Sequence, residues 1–167
     1  QSLLASLIAI HGEEATERIV RGWVANDPIY INGDTQILEA MAAGRCDVGI
    51  TNHYYLARLL AKDSTLSVAP FWADQGGAGV HVNISGGGVT RHAKNRAAAI
   101  QLLEYLTTPE AQGLLASSSF EYPANPAVKP HPLLARFGSF KAQSVGVAAA
   151  GAHQAEAVRL ADRANYR

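Results

Sequence analysis

The sequence of 167 residues lacks several features that assign a protein to a class directly. Lys and Arg together number 14, as do Asp and Glu, so the formal net charge is zero, whereas nucleic-acid binders carry clustered positive charge. Nucleic acid is therefore not an expected partner. Only one cysteine is present, Cys46, which excludes an intrachain disulfide and a zinc site built from several thiolates.

Long hydrophobic runs are also missing. No stretch approaches the roughly 18 consecutive apolar residues that a membrane-spanning helix needs. Residues 1–8 contain neither the basic segment nor the cleavage site of a secretory signal, and their composition is that of the middle of a helix. We therefore expect the chain to be the C-terminal part of a longer polypeptide, which would carry part of the function.

The spacing of apolar and turn residues predicts helices that alternate with strands. Helices are predicted over 2–10, 13–25, 35–43, 95–106 and 152–164, and from His53 and Pro109 onward. Strands are predicted over 29–31, 47–50, 67–72 and 80–84. Four prolines between Pro123 and Pro132 predict an extended segment. This alternation predicts an α/β fold with a parallel or mixed sheet, in which ligands bind where strands end and helices begin.

Two such junctions carry polar residues, at 32–34 and at 51–55. The second contains adjacent tyrosines, Tyr54 and Tyr55, whose phenols can reach one atom only at an irregular turn. A phenol has a pKa near ~10, so phenolate forms at neutral pH only when a strong Lewis acid displaces the proton. Ferric ion is such an acid and prefers anionic oxygen. The competing interpretation is an ordinary pair of packed aromatic side chains.

Other polar residues have plainer interpretations. His53 is interpreted as a cap or surface group rather than a ligand, and His81 as a hydrogen-bonded histidine within a strand. Arg58 is assigned to a solvated helix face. Residues 121–123 are assigned to a hinge or to packing.

Several longer motifs occur in a fixed order along the chain. They are Asn32–Ala40, Ala43–Gly44, Asp47–Val48, Asn52–Ala57, Gly79–Gly86, Ala99–Leu106, Glu121–Pro123 and Asp162–Tyr166. In this order and spacing, the motifs resemble the ferric-iron-binding periplasmic proteins of bacterial ABC transporters, over nearly the whole chain. A set of ordered motifs is far more specific than a tyrosine pair.

The resemblance implies a two-lobed periplasmic binding protein of type II, with an α/β fold, of which this chain is the C-terminal portion. Residues 1–70 would belong to the C-terminal lobe, residues 79–122 to the N-terminal lobe, and residues 123–167 again to the C-terminal lobe. The implied function is capture of ferric iron and delivery to an ABC permease, without catalysis. The implied location is the periplasm or a lipid-anchored extracytoplasmic position.

The resemblance also implies roles for particular residues. Tyr54 and Tyr55 would ligate ferric ion, Asn52 would contact a synergistic anion, and Asn32 is a weaker candidate for the same anion. Family members complete the coordination with residues from their N-terminal half, which this chain does not contain. With two protein ligands, the chain alone is expected to bind iron poorly.

Alternatives remain open at this point. The same fold could bind an oxyanion or a small organic ligand, and an iron-dependent enzyme is a further alternative, although no catalytic constellation is visible in the sequence. A strand over 80–84 without sheet partners would leave open edges, so we expect either association between copies of the chain or a missing stretch of chain that would cover them.

Overall fold

The computed structural model describes residues 1–166, and its regular structure is helical. The α-helices are α1 (Ser2–His11), α2 (Glu13–Ala25), α3 (Asp34–Ala42), α4 (His53–Lys62), α5 (Arg96–Leu106), α6 (Pro109–Ser119), α7 (Val147–Ala152) and α8 (Gln154–Arg163), and a 3-10 helix spans Pro132–Phe137. The predicted helices are confirmed to within about two residues at each end. Helix α7 and the 3-10 helix were not predicted. Among the described residues, no helix has the length and apolar character to cross a membrane.

Local chemistry explains where these helices begin and end. Gly12 has a φ of 79° and separates α1 from α2, a conformation that glycine adopts without steric cost. At the start of α6, Pro109 occupies the first turn and the Thr108 hydroxyl accepts a hydrogen bond from the Ala111 N–H, as the sequence predicts. Asn52 precedes α4 as its N-cap residue.

The predicted sheet is wrong for the described residues. The pairing observed there is one isolated parallel bridge between Val80 and Ala142. A strand is stable only when a neighbour pairs with its backbone, and within 1–166 the predicted strands do not find such neighbours. Their apolar side chains are accordingly exposed, with Val48 80% and Phe71 85% accessible. The apolar pattern identified segments suited to burial without showing what would bury them.

The chain divides into two compact units, each with its own packing. Unit 1 comprises Gln1–Ile31, Phe71–Ile84 and the described residues from Phe140 onward. Helix α1 packs against α2, α7 and α8, and α2 also packs against α8. Their shared core is apolar and consists of Leu4, Ala5, Ile8, Val20, Ala157, Leu160 and Ala164.

Unit 2 comprises Asn32–Pro70 and Ser85–Ser139. Helix α3 packs against α4, α4 against the 3-10 helix, and α5 against α6. The larger buried side chains of this unit are Leu38, Leu56, Leu60, Leu134 and Phe137. Helix α5 contains no buried residue, so the interior of unit 2 is built by the other helices.

The breaks between the units do not coincide with the predicted lobe boundaries. Residues 1–70 are divided between the units after Ile31, and residues 123–139 stay in the unit that contains 85–122. Helical periodicity identifies elements but not which elements pack together. The assignment of segments to an N-terminal and a C-terminal lobe stays a prediction, and its last residue, Arg167, lies outside the described residues.

Candidate metal and anion site

The two polar junctions lie side by side in unit 2. Asp34, the first residue of α3, accepts a hydrogen bond from the Thr51 hydroxyl at 2.6 Å and another from the Asn52 backbone N–H at 3.2 Å. One carboxylate thus joins the N-terminus of α3 to that of α4. Helix N-termini carry partial positive charge, which suits an anion, and here the Asp34 carboxylate takes part of that role.

The tyrosine pair lies directly after this joint. Tyr54 and Tyr55 have ring centroids 4.5 Å apart, with planes inclined by 37°. Both residues belong to the first turn of α4, so the predicted irregular turn is wrong. Rotation of the side chains brings the phenols together although the backbone is helical.

The surroundings of Tyr54 favour its neutral form. Burial raises the pKa of Tyr54 to about 12, together with the hydrogen bond to Tyr55 and that phenol's charge, and then the carboxylates of Asp34 and Glu121. Tyr54 therefore keeps its proton at neutral pH, and a cation that binds its oxygen must displace that proton. The carboxylates that hold the proton also attract a cation.

Arg58 covers the tyrosine pair from the next turn of α4. Its guanidinium carbon lies 5.2 Å from the ring centroid of Tyr54 and 5.6 Å from that of Tyr55, within the range of a cation–π contact. Arg58 was predicted to lie on a solvated helix face. Its spacing of four and three residues from the tyrosines is the signal that could have placed it on their side of the helix.

His53 contacts a distant segment rather than solvent. Its Nε2 lies 2.9 Å from the Phe120 carbonyl oxygen, and its ring centroid lies 4.9 Å from that of Tyr122 and 5.7 Å from that of Tyr54. Burial lowers the pKa of His53, against the opposing effects of the Phe120 carbonyl and Glu121. The interpretation of His53 as a cap or surface group is therefore wrong, because Asn52 is the cap and the imidazole is half-buried.

The two asparagines flank the joint between the helices. Asn52 is half-buried and its side chain makes no capping hydrogen bond to α4, whereas Asn32 is exposed two residues before α3. An anion-binding role for either amide stays a prediction.

Residues 1–166 contain no group of three or more His, Cys, Asp or Glu side chains that could hold a metal ion. The assignment of Tyr54 and Tyr55 as metal ligands stays a prediction.

Helix N-termini are sites at which proteins bind anions, so the comparison with proteins that bind solutes bears directly on these two junctions. The sequence profile of the bacterial extracellular solute-binding proteins matches residues 11–142, and the chain belongs to this family. Iron uptake protein A2 of Synechocystis sp. is 40% identical over 174 residues, which cover 99% of this chain and 50% of that protein. The Fe(3+)-binding periplasmic protein of Serratia marcescens is 26% identical over 151 residues, covering 89% of this chain and 44% of that protein.

Solved structures agree with these relatives. A Trichodesmium protein (IdiA, FutA), solved in complex with iron and citrate, superposes with a TM-score of 0.91 at 42% identity, covering 99% of this chain and 55% of that one. The ferric binding protein of Campylobacter jejuni gives a TM-score of 0.93 at 29% identity, with 99% and 55% covered. The resemblance to ferric-iron-binding proteins is confirmed. The chain spans about half the length of the curated relatives it matches.

Proposed function

We propose that this chain forms part of an extracytoplasmic carrier that captures ferric ion together with a synergistic anion and delivers it to an ABC transporter permease. Tyr54 and Tyr55 are the proposed protein ligands, and Asn52 and Asn32 the proposed contacts of the anion. The observation that carries the proposal is the contact between the two phenols, whose rings lie 4.5 Å apart. The names of the similar proteins support the choice of ferric iron as cargo.

The chemistry of the site suits a trivalent cation. Ferric ion favours hard oxygen donors, and two adjacent phenolates supply two such donors in one helical turn. Asp34 and Glu121 lie close enough to Tyr54 to act on its ionisation, so a cation that replaces the phenol protons is attracted by negative charge. An anion at the joined helix N-termini would fill coordination positions that the phenols leave open.

Delivery to a permease requires reversible binding and no chemical conversion, so the proposed role is that of a carrier and not of an enzyme. The family's description as extracellular supports a location outside the cytoplasm, in the periplasm or attached to a membrane by a lipid. Association between copies of this chain stays a prediction that the known relatives do not support. Sedimentation of the purified chain over a range of concentrations tests that association.

A second candidate is capture of an oxyanion or a small organic acid without iron. The joint formed by Asp34 favours it, because two helix N-termini meet there. The two candidates differ in what they require of the tyrosines. Ferric ion needs phenolate oxygens as ligands, whereas an oxyanion needs only hydrogen-bond donors.

The test is titration of the chain with ferric citrate, followed by visible absorption. Ferric phenolate absorbs visible light, so the unaltered chain, although expected to bind iron weakly by itself, should colour when ferric citrate is in large excess. The double variant Tyr54→Phe, Tyr55→Phe is expected to stay colourless, whereas Tyr105→Phe, which changes an exposed tyrosine on α5, retains the band as a matched control. An unaltered chain that stays colourless but binds phosphate or citrate would favour the second candidate.

A further inference from the structure

The segment that follows α6 begins with a residue, Phe120, whose backbone conformation is unusual for a residue other than glycine. Phe120 is the C-cap of α6 and has φ 60° and ψ 25°, in the left-handed region. A non-glycine residue persists there only when its surroundings hold it. The Phe120 ring packs edge-on against His131, with centroids 4.6 Å apart, and the Glu121 N–H donates to the Ser119 hydroxyl oxygen at 3.3 Å.

A further contact fixes the continuation of this segment. The Ala124 N–H donates to Oε1 of Gln112, on α6, at 2.7 Å, and Nε2 of the same Gln112 donates to the Leu106 carbonyl at 2.7 Å. Residues 120–124, which we call the platform, are therefore attached to α6 at both ends. The platform presents the Phe120 carbonyl oxygen in a defined direction.

His53 connects the platform to the first turn of α4. A carbonyl oxygen only accepts hydrogen bonds, so Nε2 of His53 carries the hydrogen and donates across 2.9 Å. The imidazole lies edge-on to the Tyr54 ring, with planes inclined by 78°. Its other neighbour is Tyr122 of the platform, at 4.9 Å between ring centroids. The ring thus fills the space between the platform and the tyrosine pair.

We propose that His53 is a positioning residue for the proposed iron site, and that its hydrogen bond to the Phe120 carbonyl sets the orientation at which the Tyr54 phenol meets that of Tyr55. This inference rests on the proposed function for its consequence and on the platform contacts for its geometry. The hydrogen bond uses Nε2 of His53, and the proposal assigns the imidazole an orienting role and no contact with the metal. Partners of this kind, which orient a ligand without touching the metal, change metal affinity by about 10- to 100-fold.

Two variants at position 53 distinguish a side chain that acts as a hydrogen-bond donor from one that only packs against its neighbours. His53→Phe keeps an aromatic ring but cannot donate, and it is expected to weaken ferric binding from citrate by about 10- to 100-fold and to shift the charge-transfer band. His53→Gln places an amide N–H near the same carbonyl and is expected to restore most of the affinity and the band position. His92→Phe, at an exposed histidine of unit 2, is the matched control and should change neither.

An iron-free measurement keeps this inference separate from the proposed function. In carbon-edited NMR spectra of the chain without iron, the ring signals of Tyr54 and Tyr55 are expected to move in His53→Phe and to return towards their original positions in His53→Gln. Unmoved ring signals in His53→Phe would overturn the positioning role. If His53→Phe does not fold, the spectrum of His53→Gln decides instead. Ring signals of Tyr54 and Tyr55 that lie at the positions of the unfolded chain would then also overturn the positioning role. A colourless unaltered chain with moved ring signals would instead overturn the proposed function alone.

Discussion

The two units of the molecule differ in the contacts that are found inside each of them. Unit 1 has a contiguous apolar core contributed by α1, α2 and α8, with Ala5, Val20 and Leu160 completely inaccessible to solvent. Unit 2 also buries large apolar side chains, and it has polar contacts at the start of α4, where Asp34 and His53 bind distant backbone groups. Apolar burial is therefore common to both units, and the contacts that orient the start of α4 belong to the second.

This difference indicates which unit can tolerate a ligand site. A site needs polar groups whose geometry is fixed, and such groups oppose burial unless they are hydrogen-bonded. Unit 2 contains these groups in its described residues, together with the exposed apolar side chains of Leu102 and Leu114. Among the described residues of unit 1, the buried polar side chains are Ser6 and Thr16; each bonds a nearby carbonyl, and Ser6 also contacts His81. The core formed by α1, α2 and α8 and the proposed site thus lie in different units.

The largest expected effect comes from removing apolar volume in unit 1. Leu160→Ala, on α8, is expected to lower the free energy of unfolding by about 2–5 kcal/mol because it leaves a cavity in a packed core. Both tryptophans of the chain, Trp23 and Trp72, lie in unit 1, so urea unfolding followed by tryptophan fluorescence measures the change. Val158→Ala on the same helix, at a side chain 37% exposed, is the control and should shift the transition far less. Equal shifts would contradict the assignment of the core.

A smaller effect is expected at the joint in unit 2. Asp34→Ala removes the acceptor of the Thr51 hydroxyl and the Asn52 N–H, and hydrogen bonds to a charged group are worth about 1.5–3 kcal/mol. Amide hydrogen exchange should therefore accelerate in α3 and in the first turn of α4. Asp47→Ala, at an exposed carboxylate, should leave exchange unchanged. Faster exchange confined to unit 1 would contradict the prediction.

Acid should weaken both units through one half-buried histidine in each. Burial lowers the pKa of His53 in unit 2 and of His81 in unit 1. Because a histidine in the unfolded chain takes up its proton near pH ~6.5, the unfolded state binds more protons than the folded state below that pH. Stability is therefore fully present above about pH 6.5 and is lost as pH falls through the lower folded pKa values.

Urea unfolding at a series of pH values measures this loss. His81 also contacts the hydroxyls of Ser2 and Ser6, so His81→Gln is expected to reduce stability at neutral pH while flattening the acid dependence detected by tryptophan fluorescence. His92→Gln, at an exposed position, serves as the control. An acid dependence that is as steep in His81→Gln as in the unaltered chain would refute the assignment.

The smallest effect is expected from the ion pairs on the surface of unit 1. Arg163 on α8 contacts Glu13 at 2.5 Å and Glu17 at 2.9 Å on α2. Exposed pairs of this kind contribute little and are screened by salt. Arg163→Gln should therefore shift the unfolding midpoint only slightly, and the shift should disappear at high salt. Arg18→Gln, the matched control on α2, should show no salt-dependent difference, and a large shift that persists in salt would count against a purely electrostatic role for Arg163.

The sequence predicted those features that depend on neighbouring residues. The bounds of α2 and the cap formed by Thr108 follow from periodicity and capping chemistry, which act within a few residues. The meeting of Tyr54 and Tyr55 was also expected, although in an irregular turn and not in a helix. Strand formation was predicted wrongly. A strand needs a partner elsewhere in space, and the local apolar pattern of residues 47–50 carries no information about such a partner.

Long-range contacts of the site were beyond the same reasoning. His53 and Phe120 are 67 residues apart in the chain, and Asp34 and Thr51 are 17 apart, so no local pattern connects them. Arg58 differs, because its position one turn after the tyrosines could have been used. The candidate ligands were thus predictable from a motif, whereas the groups that orient them required the structure.

The connectivity of unit 1 has a consequence for the order in which the chain acquires its structure. Its core joins α1 and α2 to α8, so residues from the two ends of the described chain must meet before that core exists. Contacts between residues so far apart in sequence form slowly, because a long loop must close first. The pairs α3 with α4 and α5 with α6 are neighbours along the chain and can dock early. The core of unit 1 is therefore expected to be the last packing in the molecule to assemble during folding.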